Sequence, residues 1–365
     1  MSDPEVFATV FAQTDLGRTR DHNEDTFLIA DLTTRALCAL ADTTKHAVGR
    51  RGCLFLVADG MGGAAAGEVA SAMAAEAISE HLLEAWSGVD DDSPEHFAEH
   101  LRDAVERANT QLHAYAQGHP EVRGMGTTAT VAGLFEGALY LAQVGDSRAY
   151  LIRQGQASQL TKDQSLTQRL VDAGEMTEEE AEQSTRRNII LQALGPDPRV
   201  KVDLTFLPLC RDDVILICSD GLSGQVKKEE IAKLASTSSD PAVVCAELIE
   251  LANERGGPDN ITAVVIRLHG EGLPSADSEI AADYLPTPIL EEDTDEMPVA
   301  TTEIRTTQPV PVLRREDAAA VELPEAPDAP LELRAKTTPA RFAVIGIGVL
   351  AVLGLLFWLL PRLLP

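Results

Sequence analysis

The N-terminal three quarters of the chain alternate short apolar runs with polar turns. Residues 7–14, 25–30 and 53–58 read as strands, because each is a brief run rich in Val, Leu, Ile and Phe. Residues 67–86, GEVASAMAAEAISEHLLEAW, return apolar side chains at helical spacing and predict a helix. A second helix is predicted over 97–117, with Ser93-Pro94 marking its start, since Pro is tolerated in a first turn. Strands follow at 127–135, 138–144 and 148–153. Phe135-Glu136-Gly137-Ala138 and Gly145-Asp146-Ser147-Arg148 supply the turns between them. Residues 164–183 read as a charged helix, and 200–209, 213–218 and 260–268 as late strands. Helices near 227–235 and 241–254 lie between the last two strands. The order is not strictly βαβ and there is no internal repeat. Strand meanders with helix pairs indicate an α+β fold, antiparallel sheets covered by helices.

The pattern changes toward the C-terminus. Residues 271–340 hold 10 of the 20 prolines, with 16 acids against 5 bases, a net of −11. Such a composition buries too little apolar surface to fold and predicts a disordered linker. Residues 342–360, FAVIGIGVLAVLGLLFWLL, carry no charged side chain. As a helix this run is roughly 28 Å long, close to the hydrocarbon thickness of a bilayer. It has no amphipathic face, and Phe342 and Trp358 sit near its ends, where aromatics favour the interface. A single transmembrane helix is expected. Arg334, Lys336 and Arg341 precede it and Arg362 follows it, which puts the N-terminal side in the cytoplasm. MSDPEVFATV has no basic stretch followed by an apolar one, so no export signal is read there. The expected organisation is a folded domain over 1–270, a tether over 271–340 and a single-pass cell-membrane anchor over 342–360. The span lacks GxxxG, and a monomer is expected.

Charge narrows the partners. The formal net charge is −28, and residues 1–270 hold 42 acids and 23 bases, a net of −19. Nucleic acid is excluded as a general partner, because phosphate backbones need a basic face. Electrostatic attachment to anionic lipid is excluded likewise. A cationic ligand such as a divalent metal stays open. Cysteines at 38, 53, 210, 218 and 245 form no CxxC pair. They read as reduced thiols and not as a zinc site or disulfide framework.

The acids fall at particular places. CLFLVADGMGG sets Asp59 and Gly60 directly after an apolar strand, and DVILICSDGL does the same with Asp220 and Gly221. Asp146 lies in a turn between two strands, Asp259 just ahead of one, and Glu24 and Asp25 at the start of another. Any single Asp-Gly is an ordinary turn. Five buried segments that each end in a carboxylate would repel one another unless a cation neutralised them. Carboxylate oxygens without His or Cys select Mg²⁺ or Mn²⁺ over zinc. Several Asp residues around two ions suit a binuclear centre for attack on phosphorus.

In order, TRDHNED, VADGMGG, GMGTTAT, VGDSRAY, LTKDQS, ICSDGL and GPDNITAVV resemble the metal-dependent protein phosphatases, the type 2C serine/threonine phosphatases, and their bacterial branch above all. The resemblance covers about 14–268. It implies two central antiparallel sheets with helices on both outer faces, a four-layer α-β-β-α sandwich. It implies dephosphorylation of phosphoserine and phosphothreonine proteins with two, or with a further site three, Mn²⁺ or Mg²⁺ ions. Kinases and their substrates at the membrane would be the partners. Asp59 would bridge two ions and the Gly60 carbonyl would ligate one. Asp220 and Asp259 would ligate the other, and Asp146 with Asp220 would hold the third. Glu24 and Asp25 would hold water around the metals, and Arg20 would grip the substrate phosphate, a role that suits a guanidinium fork. Two positions depart from the pattern. Met61 stands where some members have a His proposed as general acid, and Gln164 stands where bacterial relatives often have His. Residues 164–188 match the variable flap over the active site. The stretch 31–52 receives no role. A non-catalytic module with the same fold, and a phosphatase of small metabolites, are the alternative readings. Retention of Asp59, Asp220, Asp259 and Arg20 weighs against the first.

Overall fold

The structure is a computed structural model that describes residues 5–38, 44–62, 66–89 and 92–276. The expected linker lies almost wholly outside the described residues, and the expected transmembrane helix at 342–360 entirely so. Among the described residues no helix is long and apolar enough to cross a membrane.

The chain begins with β1 (Phe7–Asp15), β2 (Asp25–Asp31), β3 (Ala36–Leu37), β4 (Thr44–Ala47) and β5 (Cys53–Met61). Helices α1 (Ala66–Glu84) and α2 (Pro94–Gly118) follow. Next come β6 (Gly126–Thr127), β7 (Ala129–Phe135), β8 (Ala138–Val144), β9 (Arg148–Arg153) and β10 (Gln156–Gln159). Short helices α3 (Leu166–Asp172) and α4 (Glu178–Glu182) precede β11 (Asp203–Pro208) and β12 (Val214–Cys218). Helices α5 (Asp220–Ser223), α6 (Lys228–Thr237) and α7 (Pro241–Glu254) lead into β13 (Ile261–His269). One sheet has the order β10-β9-β12-β13-β1-β4, the other β11-β8-β7-β5-β2-β3 with β6 beside β5. Neighbouring strands are antiparallel throughout, as in β1 with β13 and β2 with β5.

Strand alternation builds the layers. Leu54, Leu56 and Ala58 of β5 join a core with Ala70, Ala74, Ile78, Phe97, Leu101 and Val105 of α1 and α2. The intervening Cys53, Phe55 and Val57 meet Val10, Ile215, Ile217, Val264 and Ile266 between the two sheets. Val214, Leu216 and Cys218 of β12 then pack on Ile231, Val244 and Leu248 of α6 and α7. Each central strand buries both faces, which is why it reads as a continuous apolar run although its pairing is antiparallel. Three stacked cores make the expected four-layer sandwich.

Several element boundaries differ from the sequence expectation. The charged helix over 164–183 is two helices, broken where Gly174 takes φ 70°. Ser165 caps the first, and Thr177 with Glu180 forms a capping box on the second. The strand expected at 127–135 is interrupted at Thr128, whose N–H donates to the Asp59 carbonyl at 2.9 Å. The strand expected at 53–58 continues to Met61, because Gly126–Thr127 pairs with Gly60 and Met61. The strand expected at 200–209 shortens to Asp203–Pro208. The stretch without an assigned role contains β3 and β4. It is fastened to the end of α1 by Arg51, whose guanidinium lies 5.1 Å from the Trp86 ring centre. Trp86 Nε1 in turn donates to the Arg51 carbonyl at 3.0 Å.

Candidate metal centre

One pole of the sandwich collects the strand ends that carry acids. Asp25 opens β2 directly opposite Asp59 near the end of β5. In the facing sheet, β12 ends at Cys218, paired with Ala263 of β13, so Asp220 and Asp259 emerge side by side. Ser219 ties the sheets together, because its hydroxyl donates to Asp25 Oδ2 at 2.7 Å. The Gly145 turn, with φ 101°, brings Asp146 to the same place from between β8 and β9.

The backbone is fixed around these acids. Asp59 N–H donates to the Thr128 hydroxyl at 2.9 Å, and the Asp59 carbonyl accepts from Thr127 Oγ1 at 2.9 Å. Gly60 lies against the first turn of α1. A Cβ there would stand 2.1 Å from the Gly67 carbonyl oxygen and 2.7 Å from that of Glu24. Only a residue without a side chain lets strand and helix backbones approach so closely. Gly67 in turn leaves room for the Glu24 carboxyl carbon, which would be 2.7 Å from an added Cβ. Glu24 is buried, and its N–H donates to Asn260 Oδ1 at 2.9 Å.

The electrostatics follow from burial. Asp59 is pushed well above the usual carboxylate range by desolvation first and then by repulsion from Asp25, Asp220, Asp146 and Asp259. Burial raises Asp25 to about 7 despite hydrogen bonds from Thr262 and Ser219. Burial, with repulsion from Asp220, raises Asp146 to about 8. Asp220 is raised too, by desolvation and then by Asp259. One oxygen each of Asp25, Asp146 and Asp220 is buried with no hydrogen-bond partner. Orphaned carboxylate oxygens of this kind call for a cation.

Protein cations do not fill that need. Arg148, two residues after Asp146, is committed to Asp163 through contacts of 2.7 to 3.1 Å. Arg187 on the flap lowers Asp220 through space, a contribution to which the acid pattern does not point. Arg20 donates to Asp259 Oδ2 at 2.7 Å in a half-exposed ion pair. Among the described residues no three His, Cys, Asp or Glu side chains form a ready ligand set. One expected ligand, Asp259, is engaged by Arg20 and by its neighbour's N–H at 2.8 Å. The donors that remain are carboxylates and a main-chain carbonyl, the chemistry of Mg²⁺ and Mn²⁺. The residues present fit such ions.

The site also contains residues that the acid pattern did not point to. Ser219 and Thr262 donate to Asp25, the latter at 2.6 Å. Asn260 clasps the loop carrying Arg20, its amide donating to the carbonyls of Leu16 and His22. Gln164 accepts from Gly145 N–H at 2.9 Å and donates to Asp203 at 2.9 Å, so it anchors the Asp146 turn.

A family model described as Protein phosphatase 2C matches residues 38–254. The serine/threonine phosphatase stp of Listeria innocua serovar 6a is 36% identical over 257 residues, covering 70% of this chain and 93% of that protein. The serine/threonine protein phosphatase PstP of Mycobacterium tuberculosis is 43% identical over 214 residues, 58% of this chain and 40% of that protein. Among solved structures, the Mycobacterium tuberculosis phosphatase PstP/Ppp is similar with a TM-score of 0.61 at 36% identity, covering 72% of this chain and 99% of that one. A PstP catalytic domain in complex with two manganese ions is similar with a TM-score of 0.59 at 34% identity, covering 72% and 99%.

Proposed function

The chain belongs to the protein phosphatase 2C family, and from that premise we propose that it hydrolyses phosphoserine and phosphothreonine in proteins with two Mn²⁺ or Mg²⁺ ions at the carboxylate pole. The observation that carries the reading is the set of buried acids on facing strand ends with orphaned oxygens on Asp25, Asp146 and Asp220. Such ions, when bound, lower the pKa of water and neutralise charge on the phosphoryl group. Asp59, the acid on which the others converge electrostatically, would hold the ions together with the Gly60 carbonyl, Asp220 and Asp259, and Asp146 with Asp220 would hold a third. Glu24 and Asp25, held in place by Asn260, Ser219 and Thr262, would order water around them. Arg20 has N–H donors beyond the one given to Asp259, and these would hold the substrate phosphate.

The test is Asp59→Asn. The variant should retain the wild-type circular dichroism spectrum, bind fewer than two Mn²⁺ by calorimetry, and lose manganese-stimulated hydrolysis of a phosphothreonine peptide. Full turnover with unchanged metal stoichiometry would overturn the assignment.

The membrane tether is part of the same proposal. It is supported by the apolar run at 342–360 and by the basic residues that precede it. Anchoring would concentrate the enzyme around phosphoproteins and kinases at the inner face of the cell membrane. The full chain should sediment with membranes, whereas a chain ending at residue 276 should be soluble and active. A truncated chain that still sediments with membranes would exclude the anchor.

A further inference from the structure

Beside the acid pole, the flap and the body of the domain line an open cleft of about 480 Å³, a size within the range of ligand pockets. Its wall includes Lys162, Arg169, Asp172, Leu191, Lys201 and Asp203. Among the described residues on that wall, Leu191 is the one apolar side chain, so an occupant must be polar or charged.

The pairing of the wall charges decides the sign. Asp172 accepts from Lys162 at 2.8 Å. Asp163, on the inner side, is neutralised by Arg148. Asp203 accepts from the Gln164 amide on one oxygen, and Lys201 Nζ stands 3.8 Å from the other, at the limit of an ion pair. Arg169 has no acid within ion-pair distance among the described residues. Arg169 and Lys201 therefore face a single acid, Asp203. This is uncommitted positive charge on the surface of a strongly acidic domain.

The cavity is joined to the acid pole by a shared side chain. Gln164 lines it and also accepts from Gly145 N–H, the residue before Asp146. A polypeptide lying extended with its phosphoresidue at the pole advances about 3.3 Å per residue. A chain that runs from the pole past Gln164 would bring neighbouring side chains to this wall. The overall negative charge repels acidic polypeptides, so an acidic substrate needs local positive charge of this kind.

We propose that this cavity is a subsite for an acidic side chain of the substrate polypeptide, a few residues from the phosphoresidue and held by Arg169 and Lys201. The proposal rests on the phosphatase reading above. The test uses the full-length, manganese-loaded protein and phosphothreonine peptides that differ only by Glu or Gln at single positions, from three before to three after the phosphoresidue. At one or two positions Glu should be favoured about three- to tenfold in kcat/KM. Arg169→Gln and Lys201→Gln should each reduce that ratio, and Arg169→Glu should invert it. Binding of matched phosphonate peptides by fluorescence anisotropy should give the same ratios. The proposal is overturned if Glu is favoured nowhere or if the preference survives Arg169→Glu. It is also overturned if free glutamate, and not peptide sequence, alters turnover through Arg169. Failure to hydrolyse even the Gln peptides would instead refute the phosphatase reading.

Discussion

Arg20 joins the exposed edge of the site to its buried centre. It gives one N–H to Asp259 and remains 46% exposed, so its other donors face solvent. A charge-assisted hydrogen bond to phosphate contributes about 1.5–3 kcal/mol, or roughly ten- to a hundredfold in affinity. Arg20→Ala should therefore raise KM for a phosphopeptide by about tenfold or more, with a smaller effect on kcat. Arg20→Lys should recover little, because an ammonium cannot offer the planar fork. An unchanged KM in steady-state kinetics would leave Arg20 only its ion pair. The acids themselves were legible in the sequence, because each stands at one end of a run too apolar to carry a charge there without cause. The hydroxyls that support Asp25 were not. Ser219 and Thr262 sit in segments whose residue types read only as strand and turn, and nothing local tells which carboxylate they will meet. Arg148 was legible as a cation near Asp146 but not as one already committed to Asp163, a contact between segments 15 residues apart.

Among the elements, the junction of β5 with α1 sets two effects against each other. Ala is the better helix former, by about 1 kcal/mol in a helix interior. At Gly67, however, an added Cβ would stand 2.7 Å from the Glu24 carboxyl carbon and 2.9 Å from the Gly60 carbonyl carbon. Overpacking of that kind costs about 1–3 kcal/mol, and propensity is weakest in a first turn. Gly67→Ala should thus destabilise the domain by about 1–2 kcal/mol in urea denaturation. A stabilised variant would mean that strand and helix can separate freely. The opposite pole offers a contrast. Arg153 and Asp213 form an ion pair at 2.7 Å with side chains 10% and 0% exposed. Removing one partner leaves a buried charge unmatched, and Arg153→Ala should cost about 3–5 kcal/mol while leaving KM for phosphopeptide near the wild-type value. A large rise in KM without loss of stability would contradict this purely structural role. Strand positions were readable because both faces of each central strand are buried. The flap was not, since Gly174 within a run of helix-forming residues gives no sign that it will adopt φ 70°.

For the molecule as a whole, the acid pole couples charge, pH and metal. Folded-state values of about 7 for Asp25 and about 8 for Asp146 lie above those of unfolded carboxylates, and Asp59 and Asp220 are displaced the same way. The folded, metal-free protein therefore holds more protons than the unfolded chain between about pH 4 and pH 8. Stability depends on that difference: the contribution of these groups is complete below the unfolded carboxylate pKa and is lost as pH rises through 7 to 8. Metal-free protein should melt at progressively lower temperature from pH 5.5 to pH 8.5. A divalent cation reverses the cost, because it binds the ionised carboxylates and does so best where no proton must first be displaced. The rise in Tm on adding Mn²⁺ should consequently exceed its value at pH 6 by about 4 °C or more at pH 8, the shift that about 1–2 kcal/mol produces in a domain of this size. Differential scanning calorimetry in EDTA and in Mn²⁺ at the two pH values measures it. Equal metal-induced shifts, or metal-free stability that climbs between pH 6 and pH 8, would mean that the acids at this pole are already neutralised by the protein's own cations. The excess of negative charge in the folded domain would then belong to its surface and not to a metal centre.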